Sequence, residues 1–512
     1  MAAMKPHGRL WLGVGLVILV LAARLIPGPR TIDDSFITYR YARNLLAGEG
    51  FVYNPGERVQ GTTTPVYTLL MAGLGALTGG TQAPFPWLAL GVNALADAAT
   101  ALLLVRLGRH AGARWAGWAA GLVWAAAPYS VTFAVGGLET SLYVLLLTGA
   151  VCAYVEQRRV WTALLGALAI LTRPDALILA LPLGLDRLWR ALRKGERLGW
   201  GEVLALALPG LAWGLFATLY FGSPIPHSVQ AKLEVYRLGA NEGLIRLLQH
   251  YATPFFENLW GGAWAIGAGL LLYPFLYLVG ARRAARVQPR LLGWLVYPWL
   301  YLLVFAVSNP LIFRWYLTPP LPAYFLFLLL GAEELLSRLL RVDAAHARRA
   351  ALAAACVCLL PLVSTLGEWR LRPDGGALRP APHMAYIELE RLYRRAADEL
   401  APQLTPQTRL AAGDVGVLGF FTPAQILDTV GLNSPVSLGY YPLDPAAYVI
   451  NYAVPADLLV EQQPDWVVVL EVYGRRTFLQ DARFLNQYRL WKTLPTDMYG
   501  SQGMLIFQRA AP

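Results

Sequence analysis

Charged residues are scarce in this chain: 15% of 512 residues, where soluble domains carry about a quarter. That excludes an ordinary soluble globular protein. Lysine is scarcer still, with only Lys5, Lys194, Lys232 and Lys492 among 43 basic residues. The three cysteines, Cys152, Cys356 and Cys358, all fall within apolar segments, which excludes a disulfide framework and a cysteine zinc site. Internal repeats and low-complexity segments are also missing. What fills the chain instead is apolar sequence, 56% of all residues, in runs long enough to cross a bilayer at about 20 residues each. The chain reads as a polytopic membrane protein.

The net charge of +11 raises nucleic acid as a partner, but the placement of the charge argues against it. Arginines gather in short clusters between apolar runs: Arg106–Arg114, Arg158 and Arg159, Arg187–Arg197, Arg282–Arg290 and Arg338–Arg349. Such clusters mark cytoplasmic loops. With them as markers, roughly eleven spans are expected, near 10–27, 86–106, 115–134, 139–156, 160–173, 176–190, 201–221, 258–280, 291–308, 315–335 and 350–367. The N-terminus is then cytoplasmic and residues from 368 onward lie outside the cytoplasmic membrane. The stretch 65–79 is apolar but short, and crossing there would invert every later cluster. It is expected to lie along the outer interface.

This divides the chain into a membrane domain, 1–367, and a small outer α/β domain, 368–512. The tail shows helical stretches near 383–400 and 477–490 and strand-like runs at 409–412, 466–470 and 503–508. Two outer loops, 28–85 and 222–257, are longer than a connection requires, and long loops are often functional.

Within the first loop, Asp33 and Asp34 stand six residues beyond the first span, which ends near 27. An adjacent carboxylate pair can bind a metal, act as a general base, or simply be solvated. The following residues place Phe36, Tyr39, Arg40, Arg43 and Asn44 at helical spacing, as in an amphipathic helix on the membrane surface with its arginines at headgroup level. A carboxylate at such a rim, partly stripped of water, would have a raised pKa suited to a base.

The whole stretch DDSFITYRYARNLLAGEGFVYNPGERVQGTTTP, 33–65, resembles the first outer loop of GT-C glycosyltransferases, nearest the AftB-like arabinofuranosyltransferase branch. Asp33, Asp34, Tyr39, Arg40, Asn44, Gly50, Asn54, Pro55, Gly56, Glu57, Arg58, Gly61, Thr63 and Pro65 carry the match. Further similarity lies in GGLET (136–140), TRPDAL (172–177), YFGSPIPHSVQAK (220–232), FRWYLTPPLP (313–322), GDVGVLGFF (413–421) and ILDTVGLNSP (426–435). The chain departs from the family at His227, where Asn is usual, and at Trp315.

The resemblance implies a GT-C fold and transfer of a sugar from a polyprenyl-phosphate donor to a glycan or lipid-linked acceptor, with inversion at the anomeric carbon. Asp33 or Asp34 would be the base, and the pair permits a divalent cation (magnesium, manganese or calcium) without requiring one. The lipid phosphate leaving group needs cations near it. Lys232, Arg314, Arg173 and His227 are the candidates, although Asp175 could hold Arg173 structurally. Tyr39, Arg40, Arg43, Asn54, Glu57, Arg58 and Glu139 are candidates for acceptor contact or first-loop support. Two other classes fit the same composition: a transporter or flippase for the lipid-linked sugar, and a non-catalytic membrane scaffold. The bilayer is the remaining partner, and nucleic acid is not expected.

Overall fold

The computed structural model describes residues 6–256, 262–341 and 347–510. The basic connector around His346, the end of the second long loop at 257, Gly261 and Lys5 lie outside them. The described chain is mainly helical. In order, α1 (Pro6–Leu25) precedes the two helices of the first long loop, α2 (Asp33–Leu46) and α3 (Pro65–Thr78). There follow α4 (Phe85–His110), α5 (Ala116–Ala126), α6 (Pro128–Val135), α7 (Thr140–Val155), α8 (Arg159–Thr172), α9 (Leu177–Lys194) and α10 (Trp200–Phe221). Helices α11 (His227–Val235) and α12 (Glu242–Ala252) lead to α13 (Ala263–Val287), α14 (Leu292–Ser308), α15 (Leu321–Leu339) and α16 (Ala347–Leu366).

Over its described residues each expected span coincides with one of these helices, the first part of 258–280 lying outside them, and α5 and α6 together form one span bent by 44° at Ala127. Among the described residues, six helices are long and apolar enough to cross a membrane, or seven with the bent pair. The chain is a multi-pass membrane protein. The start of α1 and the end of α4 are neighbours: Arg9 lines one groove with Arg106 and Arg109. The two helices therefore run in opposite directions, so α3 between them adds no net crossing.

Contacts divide the chain into two units. The first comprises Met1–Arg30, Ala89–Leu211 and Asn241–Ala385. Its helices pack by small residues and aromatics rather than by a water-driven core. A Cβ built on Gly280 or Gly331 would overlap the facing backbone of α15 or α13, so these two helices touch through their main chains. Tyr251, Tyr277, Trp299 and Tyr324 interlock beside them. The expected cytoplasmic clusters are knitted together at one end. Glu196 holds Arg159 and Arg290, Glu333 accepts from the amides at the start of α5 and holds Arg283, and Glu156 holds Arg106 and Arg158. A carboxylate at a helix N-terminus meets the positive end of the dipole, which explains the Glu333 position.

The second unit comprises Thr31–Leu88, Ala212–Ala240 and Tyr386–Pro512. In it, α17 (Glu388–Leu400) precedes a five-stranded sheet whose strands lie in the order β4 (Gln425–Asp428), β3 (Arg409–Ala412), β5 (Trp466–Leu470), β7 (Met504–Arg509) and β6 (Tyr488–Leu494). A short antiparallel pair, β1 (Trp369–Arg370) and β2 (Ala381–Pro382), belongs to the first unit. Strands β3 (Arg409–Ala412), β4 (Gln425–Asp428) and β5 (Trp466–Leu470) are parallel, and α18 (Gly416–Phe421) links the first two. Strand β5, buried along its length, reads WVVVL, as a strand covered on both faces should. Strands β6 (Tyr488–Leu494) and β7 (Met504–Arg509) add an antiparallel edge. The helix expected over 477–490 is corrected here. Only Ala482–Gln487 is α-helical, and from Tyr488 the chain is strand, because Tyr488, Leu490 and Leu494 pair with β7.

Candidate active site

The chain runs from β3 to β4 on one side and then to β5 on the other, so β3 marks a switch point of the parallel sheet. Ligand crevices form outside the carboxyl ends of strands at such points. Here that position is occupied by Gly413, Asp414 and Val415, which lead into α18.

Helix α2 docks at this turn. Asp33 is 5% exposed, and its two carboxylate oxygens accept from the amides of Gly416 and Val417, each at 2.8 Å. The glycine is required: a Cβ on Gly416 would overlap the Asp33 carbonyl, and one on Gly419 would overlap the Tyr53 hydroxyl. Burial and the charge of Asp414 push the Asp33 carboxyl up to about 8, against the pull of the two amides.

Asp34 is half-buried and takes no hydrogen bond from the described residues. Burial raises its pKa, and Lys232 on α11 opposes that rise. Asp414 accepts from the Tyr393 hydroxyl at 2.7 Å and is pushed up to about 6 by burial and by Asp34. Glu390, in the first turn of α17, is pushed up to about 8 by burial and by Asp33. Four carboxyl groups thus feel one another in one unit, with Lys232 as a cation beside Asp34. Tyr236, at the end of α11, senses both Asp34 and Asp414.

The other first-loop residues hold this arrangement in place. Arg40 is 3% exposed and donates to the carbonyls of Tyr53, Gly419 and Ala424 and to Asn54 Oδ1. Arg43 donates to the Phe420 carbonyl and lies over its ring. The expectation that these arginines sit at headgroup level is therefore corrected: they face protein carbonyls, because α2 packs on α18 and not on a lipid surface. Asn54 pairs with the main chain of Ile426 through both amide atoms and donates to Glu57. Arg58 lies over the Tyr220 ring, and Tyr39 stacks on Phe85. The His227 amide donates to the Gln60 carbonyl, fixing the start of α11. Asp428 caps its own loop, accepting from the amides of Val430, Gly431 and Asn433.

In the first unit, Arg173 and Glu139 come together. Arg173 is 3% exposed, makes a two-pronged contact with Asp175 at 3.0 and 3.1 Å and stands 3.8 Å from Glu139. Its guanidinium lies over Tyr143 and Tyr316. Arg314 is half-buried and opens the 3-10 turn Arg314–Leu317 that carries Tyr316.

The Asp33–Asp34 pair is not arranged as a two-residue chelate for a divalent cation. Each Asp33 oxygen already accepts one amide, and successive helix residues point about 100° apart. Among the described residues no three His, Cys, Asp or Glu side chains converge as metal ligands. From the sequence alone Asp414 reads as either a glycan contact or a turn residue, and Glu390, Tyr393 and Tyr236 do not stand out. The signal for Asp414 was its place between a buried strand and a glycine-started helix.

A domain of unknown function (DUF8728) matches residues 384–507. The chain is 30% identical over 244 residues to a terminal beta-(1->2)-arabinofuranosyltransferase of Mycobacterium tuberculosis (strain ATCC 25618 / H37Rv). That match spans 44% of this chain and 38% of the relative. Among solved structures, ArnT from Cupriavidus metallidurans bound to undecaprenyl phosphate superposes with TM-score 0.54 over 99% of both chains at 15% identity. The archaeal oligosaccharyltransferase AglB from Archaeoglobus fulgidus, in complex with an inhibitory peptide and a dolichol-phosphate, superposes with TM-score 0.53 at 12% identity. The second match covers 98% of this chain and 74% of that one. These likenesses establish a shared fold.

Proposed function

We infer that this chain, which has the fold of the GT-C membrane glycosyltransferases, moves a sugar from a polyprenyl-phosphate donor to an acceptor hydroxyl outside the cytoplasmic membrane. The observation that carries this reading is the contrast between two neighbouring carboxylates. Asp33 is bound by main-chain amides, whereas Asp34 is half-buried, raised in pKa and not hydrogen-bonded by the described residues. A base needs a basic carboxylate with a free oxygen, and Asp34 has both.

In the proposed step the acceptor oxygen bonds to the anomeric carbon as the bond from that carbon to the phosphate oxygen breaks. The electron pair leaves with the lipid phosphate, the proton passes to Asp34, and the anomeric centre inverts. Lys232 and His227, both on α11 in the unit that carries Asp34, supply cationic or hydrogen-bonding character for the phosphate. Arg173 belongs to the other unit, where Asp175 and Glu139 already balance its charge. The acceptor is a cell-wall or surface glycan or a lipid-linked sugar. Residues 368–512, outside the membrane with the N-terminus inside, contribute to its recognition.

The test is transfer of radiolabelled sugar from a panel of short polyprenyl-phosphate donors, arabinofuranose and hexoses included. Purified wild type and the Asp34→Asn variant are compared, with folding checked by gel filtration. Turnover that collapses in a folded Asp34→Asn supports the reading. No turnover with any donor, or an active variant, overturns it.

A transporter of the same lipid would use charge inside the helical bundle. Such a pair exists, Arg24 with Asp97, both fully buried. Its groups are spoken for: Asp97 also accepts from Trp124 and Ser141, and Arg24 donates to Ala125 and Ser130. A saturated clamp of this kind favours a structural role over a moving charge.

A further inference from the structure

Helices α1 and α4 form the walls of a lateral groove with a volume of about 700 Å³ in the first unit. From α1 it is lined by Arg9, Gly13 and Ile18, and from α4 by Leu102, Arg106 and Arg109, among others. Three features set it apart from ordinary lipid-facing surface.

Its length is that of one leaflet. Nine residues separate Arg9 from Ile18, which at helical rise is about 14 Å, half of a hydrocarbon core about 30 Å thick. Its floor is open because of Gly13, where a Cβ would meet only Leu102 at 3.9 Å, so no side chain fills the space. Its charge lies at one end. Arg9, Arg106 and Arg109 converge there, and the neighbouring carboxylate, Glu156, is shared among Arg106, His110 and Arg158. The end of the groove where a headgroup would sit is rich in arginine, and its remainder is apolar where an acyl chain would lie.

We propose that this groove is a binding site for one anionic glycerophospholipid of the leaflet on the arginine-rich side, its phosphate on Arg9, Arg106 and Arg109 and one acyl chain along Gly13. The site is independent of the sugar-transfer reading, since none of its residues belongs to the carboxylate cluster. Basic pockets between membrane helices favour anionic headgroups, each arginine contributing about fivefold in affinity.

The experiment is native mass spectrometry of the purified full chain with phosphatidylglycerol or phosphatidylcholine. One phosphatidylglycerol is retained by wild type, with preference over phosphatidylcholine that weakens as salt rises. Arg9→Ala with Arg109→Ala lowers retention by about 30-fold, from two such charges. Gly13→Leu lowers it with all three arginines in place, and Arg9→Lys with Arg109→Lys keeps it within a few-fold. Equal retention of both lipids by wild type overturns the proposal without reference to any variant. So does retention by both the double alanine variant and Gly13→Leu at the wild-type level. Displacement of phosphatidylglycerol one for one by undecaprenyl phosphate would reassign the groove to a polyprenyl lipid and overturn it as stated.

Discussion

Asp33 Oδ1 accepts a hydrogen bond from the amide of Val417 at 2.8 Å, joining positions 384 residues apart. The partner bond from Gly416 makes the contact two-pronged, so the carboxylate beside the proposed base is a structural tie. Several expectations rest on that division of labour.

Asp33→Asn and Asp34→Asn should fail in different ways. Asn at 33 offers one acceptor oxygen and an NH2 group that cannot accept, so one of the two buried amides is left unpaired, at a cost of about 1–3 kcal/mol. Its melting temperature in detergent should drop. Asp34→Asn loses no hydrogen bond, so its melting temperature should stay within the change of an ordinary surface substitution, about 0.5 kcal/mol, while turnover disappears. Equal melting of the two variants would contradict the assignment.

The pH dependence of transfer should depend on Lys232. The base must be ionised, so kcat/KM rises as pH passes upward through the Asp34 pKa, which burial holds above the ordinary carboxylate range. Lys232 pulls that pKa down, so Lys232→Met should move the acid limb to higher pH. A raised KM for donor with an unmoved limb would instead confine Lys232 to the phosphate.

Stability should fall as pH rises. Asp33 and Glu390 are each pushed up to about 8, whereas in the unfolded chain they titrate near about 4. The folded protein then binds more protons than the unfolded one between those values, so their contribution is complete below about pH 4 and lost through pH 8. Glu390→Gln should flatten this slope in thermal melts at pH 5, 7 and 9. An unchanged slope would remove Glu390 from the cluster.

Arg40 should not tolerate lysine. Its planar fork serves three carbonyls and Asn54 at once, and an ammonium cannot reproduce that geometry. Arg40→Lys should lose several kcal/mol and most activity, read by melting and turnover together.

The Arg24–Asp97 pair should show strong coupling. Arg24→Met leaves a buried carboxylate unpaired, at about 3–5 kcal/mol. Adding Asp97→Leu should recover part of that loss. A double variant worse than the sum of the singles would refute the clamp.

Much was legible in the sequence because lipid imposes simple demands. A span must be apolar for about 20 residues, so the stretches expected to span fall on helices between α1 and α16, six or seven of them long and apolar enough to cross among the described residues. Strand β5 was equally plain, since WVVVL is apolar on both faces. The Asp33–Asp34 pair was visible as an unusual acidic step after a span. What local pattern cannot carry is partnership. Nothing in DDSF distinguishes Asp33 from Asp34, because the amides that engage one and not the other belong to Gly416 and Val417. Arg40 read as a headgroup arginine because its spacing is amphipathic, but tertiary packing supplied the carbonyls that accept its hydrogen bonds. Asp414 and Glu390 became part of a site only where β3 ends and α17 begins beside α2. Composition and periodicity determined the membrane architecture, and long-range hydrogen bonds decided which of the two carboxylates is tied to main-chain amides.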